Sequence, residues 1–261
     1  MGENKDLNLN DFGNTKNFNL KRITFTLEKN EINKKYKKQI NYNSDNNFAS
    51  TLSNLNNCES LIYEIRTNNI YSNNNKINTL SYLINVLEVN ENNLKYLEIY
   101  INNKDMAPLN KEDFKILIET ISSCKNLKTF IFEFDLINEY ALIFNDYFNI
   151  GNNLTHLSLV HGNDLDINKI IDIHINLTHI NFELISKKTL EPKEIKSNYY
   201  YNFDCNRNWK NIELTNYPIN QSLKDLLKEN KNILISLDSC TNISDLDCKT
   251  INEIRKNTGE D

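Results

Sequence analysis

The feature of this sequence that most restricts its fold is a short motif that occurs twice in nearly the same form. NLTHLSLV begins at Asn153, and NLTHINFE begins at Asn176. In both copies, apolar residues stand at positions 1, 4 and 6, counted from the leucine that follows the asparagine. Alternation of apolar and polar residues predicts a short β-strand with one buried face. The recurrence predicts that the chain repeats one structural unit.

The same spacing recurs along most of the chain. Position 1 of the successive copies is occupied by Leu20, Cys58, Leu94, Leu127, Leu154, Leu177, Trp209 and Asn232. The segments between the copies carry apolar residues at helical spacing, as in LNKEDFKILIETISSCKNL, where Asn110 is a candidate helix N-cap. Each unit is therefore predicted to be a helix followed by a strand. Parallel strands need such crossovers, and stacked units supply one another's core.

These residues resemble the leucine-rich repeat family, whose signature is L-x-x-L-x-L-x-x-N/C-x-L. Asn102 and Cys240 fit the ninth position of that signature. The resemblance implies an α/β solenoid of the irregular ribonuclease-inhibitor-like type, a horseshoe with parallel strands on its concave face and helices on its convex face. It implies a repeat domain over residues 17–249, with about eight repeats and an irregular insertion near 188–208. Polar tails, 1–16 and 250–261, flank it.

Composition excludes several classes of function. The net charge is −5, which argues against sequence-independent binding of nucleic acid. The five cysteines are dispersed and include no C-x-x-C pair, so we expect reduced thiols with no disulfide framework and no zinc site. The N-terminus has no secretory signal, and no apolar run is long enough to span a membrane. We expect a cytoplasmic or nuclear protein that is not secreted.

Strand alternation assigns a second set of residues to the open, concave surface. If positions 4 and 6 are buried, positions 3, 5 and 7 face outward. The candidate partner-binding residues on this surface are Tyr96, Glu98, Tyr100, Glu133, His156, His179, Glu183, Glu213 and Asp238. Carboxylates flanked by aromatic rings predict a partner protein with a basic segment. The alternative is a solvated sheet face with no ligand, because exposed charge is the default.

Two histidines raise the question of a metal. His156 and His179 share position 3 on strands predicted to be neighbours, with Cα atoms about 4.8 Å apart. With Glu133 or Glu183 they could hold an ion. Catalytic zinc normally uses three protein ligands, however, and only a pair is clear. We therefore predict no metal and two exposed histidines that repel each other when protonated.

A dense aromatic cluster interrupts the repeat. Tyr199, Tyr200, Tyr201 and Phe203 lie within the predicted insertion. Aromatic side chains are mostly buried in folded proteins, so the first interpretation is that these four fill the core where the repeat is irregular. The alternative is a partner-binding loop that projects from the scaffold.

The sequence favours a non-enzymatic protein–protein interaction module that binds through its acidic concave face. Cys205 and Cys248 each follow an aspartate, but no base is apparent near either, and phosphate-binding, nucleophile-elbow and zinc-protease motifs are missing. We predict no catalytic residue and no cofactor. The alternative function is a substrate-recognition or effector subunit of a ubiquitin ligase-type complex, with any catalysis supplied by another chain. The sequence does not predict an oligomeric state.

Overall fold

The computed structural model contains one parallel sheet. It describes residues 22–28, 57–66, 79–101, 110–162, 164–185, 203–204, 206–230 and 232–240. Within these ranges eight strands pair in chain order, each parallel to the next. They are β1 (Arg22–Glu28), β2 (Ser60–Arg66), β3 (Tyr96–Ile101), β4 (Thr129–Leu136), β5 (His156–His161), β6 (His179–Leu184), β7 (Asn211–Thr215) and β8 (Leu234–Asp238). Sequential parallel pairing confirms the α/β class and the predicted strand order.

The register of the sheet follows the repeat position by position. Leu97 pairs with Phe130, Phe130 with Leu157, and Leu157 with Ile180, so residues at position 4 form one continuous row. Position 6 forms a second row in the same way. The register shifts once, between Phe132 and the end of β4, where the two strands no longer match residue for residue. Equal spacing inside each copy therefore aligns the apolar side chains of neighbouring strands on one face.

Helices occupy the predicted connections. In the described residues they are α1 (Thr79–Asn90), α2 (Lys111–Ser123), α3 (Asn138–Tyr147), α4 (Ile167–Ile173) and α5 (Gln221–Glu229). Each lies in a segment whose apolar spacing predicts a helix. The further helix predicted between β1 and β2 lies outside the described residues except for its last two, and the polar tails 1–16 and 250–261 also lie outside.

The start of α2 shows how the sequence fixes a helix end. The Asn110 side chain accepts a hydrogen bond from the Glu112 backbone N–H at 3.1 Å. Such a cap satisfies one of the unpaired donors of the first turn. Glu112 and Asp113 add negative charge near the positive end of the helix dipole. Phe114 and Leu117 then face inward and are buried, so capping and apolar spacing agree on the same helix.

The core lies between the sheet and the helices. Phe130, Phe132 and Phe134 alternate along β4, and successive rings stack with centroids 5.5 Å apart. Phe148 after α3 stacks on Phe130 at 5.4 Å, and Phe144 stacks on Phe148 at 4.2 Å. Offset aromatic pairs stabilise a core beyond the area that they bury. Helix and sheet are therefore joined by a continuous aromatic cluster.

The last described strand is less buried than the repeat predicts. Ile235 and Leu237 occupy positions 4 and 6 of β8, but both are only half-buried, and Asn232 at position 1 is exposed. Among the described strands β8 is an edge, with a hydrogen-bonded neighbour on one side only. The apolar residues of β8 are less buried than those of the inner strands, because burial in a stacked fold needs a neighbour on both sides.

Candidate functional site

A ladder of asparagine side chains links successive strand-entry turns. Each asparagine that precedes a position 1 leucine in the middle of the sheet donates its amide N–H to a backbone carbonyl in the turn before the previous strand, at 2.6–2.7 Å. The donors are Asn126, Asn153 and Asn176, and the acceptors are the carbonyls of Asn92, Lys125 and Asn152. This ladder was not predicted from the sequence, although the asparagine before each of these leucines was a visible signal of it.

The outward side of the sheet, which we call the open face, consists of positions 3, 5 and 7 of β3–β8. Every side chain at these positions is half-buried or exposed. The helices pack against the other side, and no described helix or strand covers this one. All nine sequence-predicted partner-binding residues lie on the open face.

On β3 the open face carries a tyrosine–glutamate–tyrosine cluster. Glu98 accepts a hydrogen bond from the Tyr96 hydroxyl at 2.5 Å and another from the Tyr100 hydroxyl. Burial and the hydrogen bond to Glu98 raise the pKa of Tyr100 well above its usual value, so its hydroxyl stays protonated. The Glu98 carboxylate therefore accepts from two phenol hydroxyls, and these hydrogen bonds hold both tyrosine rings in place.

The remaining carboxylates differ in how far they are engaged. Glu133, Glu183 and Asp238 are exposed. Glu213 is half-buried and accepts a hydrogen bond from the Asn211 side-chain amide at 2.7 Å. The position 7 carboxylates are thus the ones that present their charge at the surface.

The histidine pair has a different geometry from the one expected. The rings of His156 and His179 stack with centroids 3.8 Å apart and planes 13° apart, and both side chains are half-buried. Burial lowers the pKa of both histidines, and the positive charge of Lys210 lowers it further. The expectation of two exposed histidines is wrong, because both rings are half-buried and stack in the neutral form; the expected repulsion on protonation agrees with the lowering of the His156 pKa by His179.

The stacked arrangement also argues against a shared metal ion. Stacking confines the ring-nitrogen lone pairs of His156 and His179 to two nearly parallel planes, whereas the ligands of one ion must converge on it at about 2.0–2.1 Å. Across the described residues, no group of three or more histidine, cysteine, aspartate or glutamate side chains has metal-binding geometry.

A threonine orients each histidine of the pair. The Thr155 hydroxyl lies 3.1 Å from the Lys128 carbonyl and 2.8 Å from His156 Nδ1. The Thr178 hydroxyl repeats this arrangement with the Thr155 carbonyl at 3.3 Å and His179 Nδ1 at 2.8 Å. These contacts were not predicted from the sequence, although Thr precedes His in both copies of the motif.

Lysines mark the strand-entry edge of the open face. Lys95, Lys128 and Lys210 occupy position 2 of their repeats and are exposed. Lys95 forms an ion pair with Glu59 at 3.2 Å. Position 7 carboxylates lie toward the other end of the strands, about 16 Å away along an extended chain. From β4 to β7, lysines therefore stand at strand entry and exposed carboxylates stand toward strand exit, a difference that positions 3, 5 and 7 alone did not reveal.

The aromatic insertion is described only in part. Tyr199, Tyr200 and Tyr201 lie outside the described residues. Phe203 is buried, its ring meets Trp209 edge-on at 5.6 Å, and its backbone N–H donates to Ser222 Oγ at 2.8 Å. Phe203 therefore serves the core, which agrees with the first interpretation of the cluster and contradicts, for this residue, the alternative of a projecting partner-binding loop.

The other two histidines belong to the core. The two ring nitrogens of His161 contact the Gly162 carbonyl, at 2.7 Å, and the Tyr217 hydroxyl. Burial lowers the pKa of His161 to about 4. His174 caps α4, with Nδ1 2.8 Å from the Ile170 carbonyl, and burial lowers its pKa as well. Both rings are neutral at pH 7.

Comparison with known proteins identifies no relative of this chain. No family model, no curated protein and no solved structure matches the chain. None of the described helices is long and apolar enough to cross a membrane. In the described residues Cys58, Cys124 and Cys240 are free thiols.

Proposed function

We propose that this chain is a non-enzymatic interaction module, a leucine-rich-repeat-like solenoid whose open face binds a basic segment of another protein. One observation carries the proposal. Exposed carboxylates and a fixed pair of tyrosines share a face that no described element covers. The sequential parallel strands support the solenoid architecture, and a curved, horseshoe-like stack would make the open face concave.

The tyrosine–glutamate–tyrosine cluster suits a contact surface. Aromatic rings supply large contact area, and tyrosine is enriched among the residues that dominate binding energy. Because the hydroxyls of Tyr96 and Tyr100 are bonded to Glu98 before a partner arrives, little side-chain entropy is lost on binding. The two rings would therefore act as rigid anchors.

The exposed carboxylates supply the attraction. Glu133 and Glu183 lie on strands two places apart, about 10 Å, which is close to the Debye length of about 8 Å in physiological salt. Their repulsion is relieved when a positively charged segment approaches. Such complementarity raises association rates and selects partners by charge.

Affinity capture with the full chain tests this function. The test variant combines Glu133→Lys with Glu183→Lys. The control combines Glu88→Lys on α1 with Glu229→Lys on α5, which changes the net charge equally on exposed helix positions. We expect the control to retain the partners of the original chain and the open-face variant to lose them.

A synthetic peptide copying the basic segment of a captured partner should then compete for binding. Equal capture by both variants would contradict the proposal. Capture of ubiquitin ligase subunits would instead favour the recognition-subunit alternative.

We also propose a reducing compartment, cytoplasmic or nuclear. The free thiols Cys58 and Cys124 are buried, and the amides of Asn153 and Asn176 already donate within the asparagine ladder. Mass spectrometry of native material should find no intramolecular disulfide and no glycan on either asparagine. Either modification would overturn the assignment.

A further inference from the structure

A basic corner lies at the strand-entry end of the open face. It consists of the stacked His156 and His179 with Lys128 and Lys210, which occupy position 2 of the repeats on either side. The Lys128 carbonyl accepts the backbone N–H of His156 at 3.0 Å, and the Lys210 N–H donates to the Thr178 carbonyl at 2.8 Å. Backbone pairing therefore places the backbones of the two lysines on the strands that flank the histidine pair, and the Lys210 charge acts on both histidines.

The threonine contacts determine which ring nitrogen carries the proton. Thr155 and Thr178 each have one hydroxyl proton, and each hydroxyl lies within hydrogen-bond distance of a backbone carbonyl that can accept it. With the hydroxyl proton on the carbonyl, each hydroxyl oxygen accepts from Nδ1–H of its histidine, which is the tautomer that we infer. The lone pair is left on Nε2, which has no hydrogen-bond partner among the described residues.

This tautomer allows protonation without rearrangement. Adding a proton at Nε2 of His156 or His179 keeps the Nδ1–H contact with threonine and creates a second N–H donor. Partial burial, the second ring and the nearby Lys210 charge oppose that proton. An anion placed between the histidines and the lysines would remove the electrostatic opposition.

Few other charges face the histidine pair. The adjacent position 5 residues are Ile131 on β4, Ser158 on β5 and Asn181 on β6, all uncharged. On β7, Glu213 is engaged with Asn211. Glu133 on β4 and Glu183 on β6 stand at position 7, about 13 Å farther along an extended strand, which exceeds the Debye length of about 8 Å.

We propose that the corner formed by Lys128, His156, His179 and Lys210 binds an oxyanion, a carboxylate or phosphate of the partner, and that the histidine pair takes up a proton as it binds. This inference rests on the proposed function, because it names the chemistry of the same partner. The partner then presents an anionic group to the corner and a basic group to the exposed carboxylates. One strand length separates the two contacts.

Proton uptake by the histidine pair and oxyanion binding at the corner are linked. If binding raises a histidine pKa, protonation must raise the affinity for the anion by the same factor. One proton taken up per anion makes that affinity rise by about tenfold per pH unit between the free and bound pKa values. The contact is therefore strengthened as the pH falls toward 6.

Nuclear magnetic resonance of the histidine rings in the full chain tests this inference without a partner. The ring signals are followed between about pH 6 and 8 in sodium phosphate, sodium acetate and sodium chloride at equal ionic strength. We expect Nδ1–H tautomers for His156 and His179 in chloride. We also expect their pKa values to be higher in phosphate than in chloride.

Two lysine variants supply the control. Lys128→Gln with Lys210→Gln should abolish the anion-dependent rise in the histidine pKa values. Lys169→Gln with Lys228→Gln, at exposed positions of α4 and α5, should leave that rise unchanged.

The buffers separate the two sources of oxyanion. Higher histidine pKa values in acetate as well as in phosphate would identify a carboxylate ligand. Higher values in phosphate alone would identify a phosphorylated ligand. The same pKa values in all three salts would overturn the inference. Because no partner is present, that failure is distinct from failure of the capture experiment.

Discussion

At the scale of single residues, each residue of the Asn-Leu-Thr-His motif has a separate role. Asn153 bonds the preceding turn, Leu154 enters the core, Thr155 orients the next side chain, and His156 stacks on His179. The roles alternate because successive side chains of an extended chain point in different directions. The motif repeats because the neighbouring strand needs the same four contacts.

The buried His161 predicts acid-sensitive folding. Its pKa is about 4 in the folded chain and about 6.5 when unfolded, so the unfolded state binds a proton first as the pH falls. The contribution of neutral His161 to the free energy of unfolding is complete above about pH 6.5. It is lost progressively toward pH 4, by up to about 3 kcal/mol. Urea unfolding at several pH values measures this loss.

His161→Gln is the matched variant for this prediction. Glutamine can still pair with the Tyr217 hydroxyl but cannot take up a proton. We expect a smaller decline in unfolding free energy between pH 6.5 and 5 than in the original chain. An identical decline would show that His161 is not the titrating group, and His174 would then be the next candidate.

At the scale of elements, spacing alone predicted the strands. Leu97, Phe130, Leu157 and Ile180 share position 4, and the sheet pairs them in that order. This succeeded because a parallel sheet with one buried face needs equal apolar spacing in every strand. The partial burial of β8 follows from its position in the stack, which the motif does not encode.

Much of the candidate site could not be predicted from spacing. Alternation placed Tyr96, Glu98 and Tyr100 on one face, but the hydrogen bonds among them depend on side-chain directions that the sequence does not specify. The histidine stack likewise depends on strand separation and partial burial. Phe203 was ambiguous because its cluster has no periodicity that would separate core from loop.

The central rows of the sheet should be sensitive to truncation. Leu157→Ala removes a buried side chain between two strands and should lower the free energy of unfolding by about 2–5 kcal/mol. Leu142→Ala on α3 is the control, because Leu142 is 56% exposed and its loss should cost less than about 0.5 kcal/mol. Equal effects in denaturant unfolding would contradict the assigned core.

The asparagine ladder should contribute measurably at each turn. Asn153→Ala removes the amide donor to the Lys125 carbonyl and should lower the free energy of unfolding by about 0.5–1.5 kcal/mol. Asn152 is exposed and contributes its carbonyl to the ladder, which Asn152→Ala preserves. The Asn152 variant should therefore be close to the original chain. A larger loss from Asn152→Ala would argue against the ladder.

At the scale of the whole molecule, the sheet gathers residues from distant parts of the chain onto one face. Tyr96 on β3 and Asp238 on β8 belong to the same surface because the strands pair in chain order. Parallel pairing also aligns like positions, so lysines collect toward strand entry and carboxylates toward strand exit. The charge pattern of the open face is thus a consequence of the repeat register.

The most direct measurement of partner binding is its association rate as a function of salt, using a partner obtained by capture. With Glu133→Lys and Glu183→Lys combined, we expect slower association and a weaker dependence on ionic strength, because long-range attraction is removed. The fold should be unaffected, since exposed charges contribute little stability. Glu88→Lys with Glu229→Lys should retain the original rate and salt dependence. An unchanged rate and salt dependence in the open-face variant would contradict binding of a basic segment by this face.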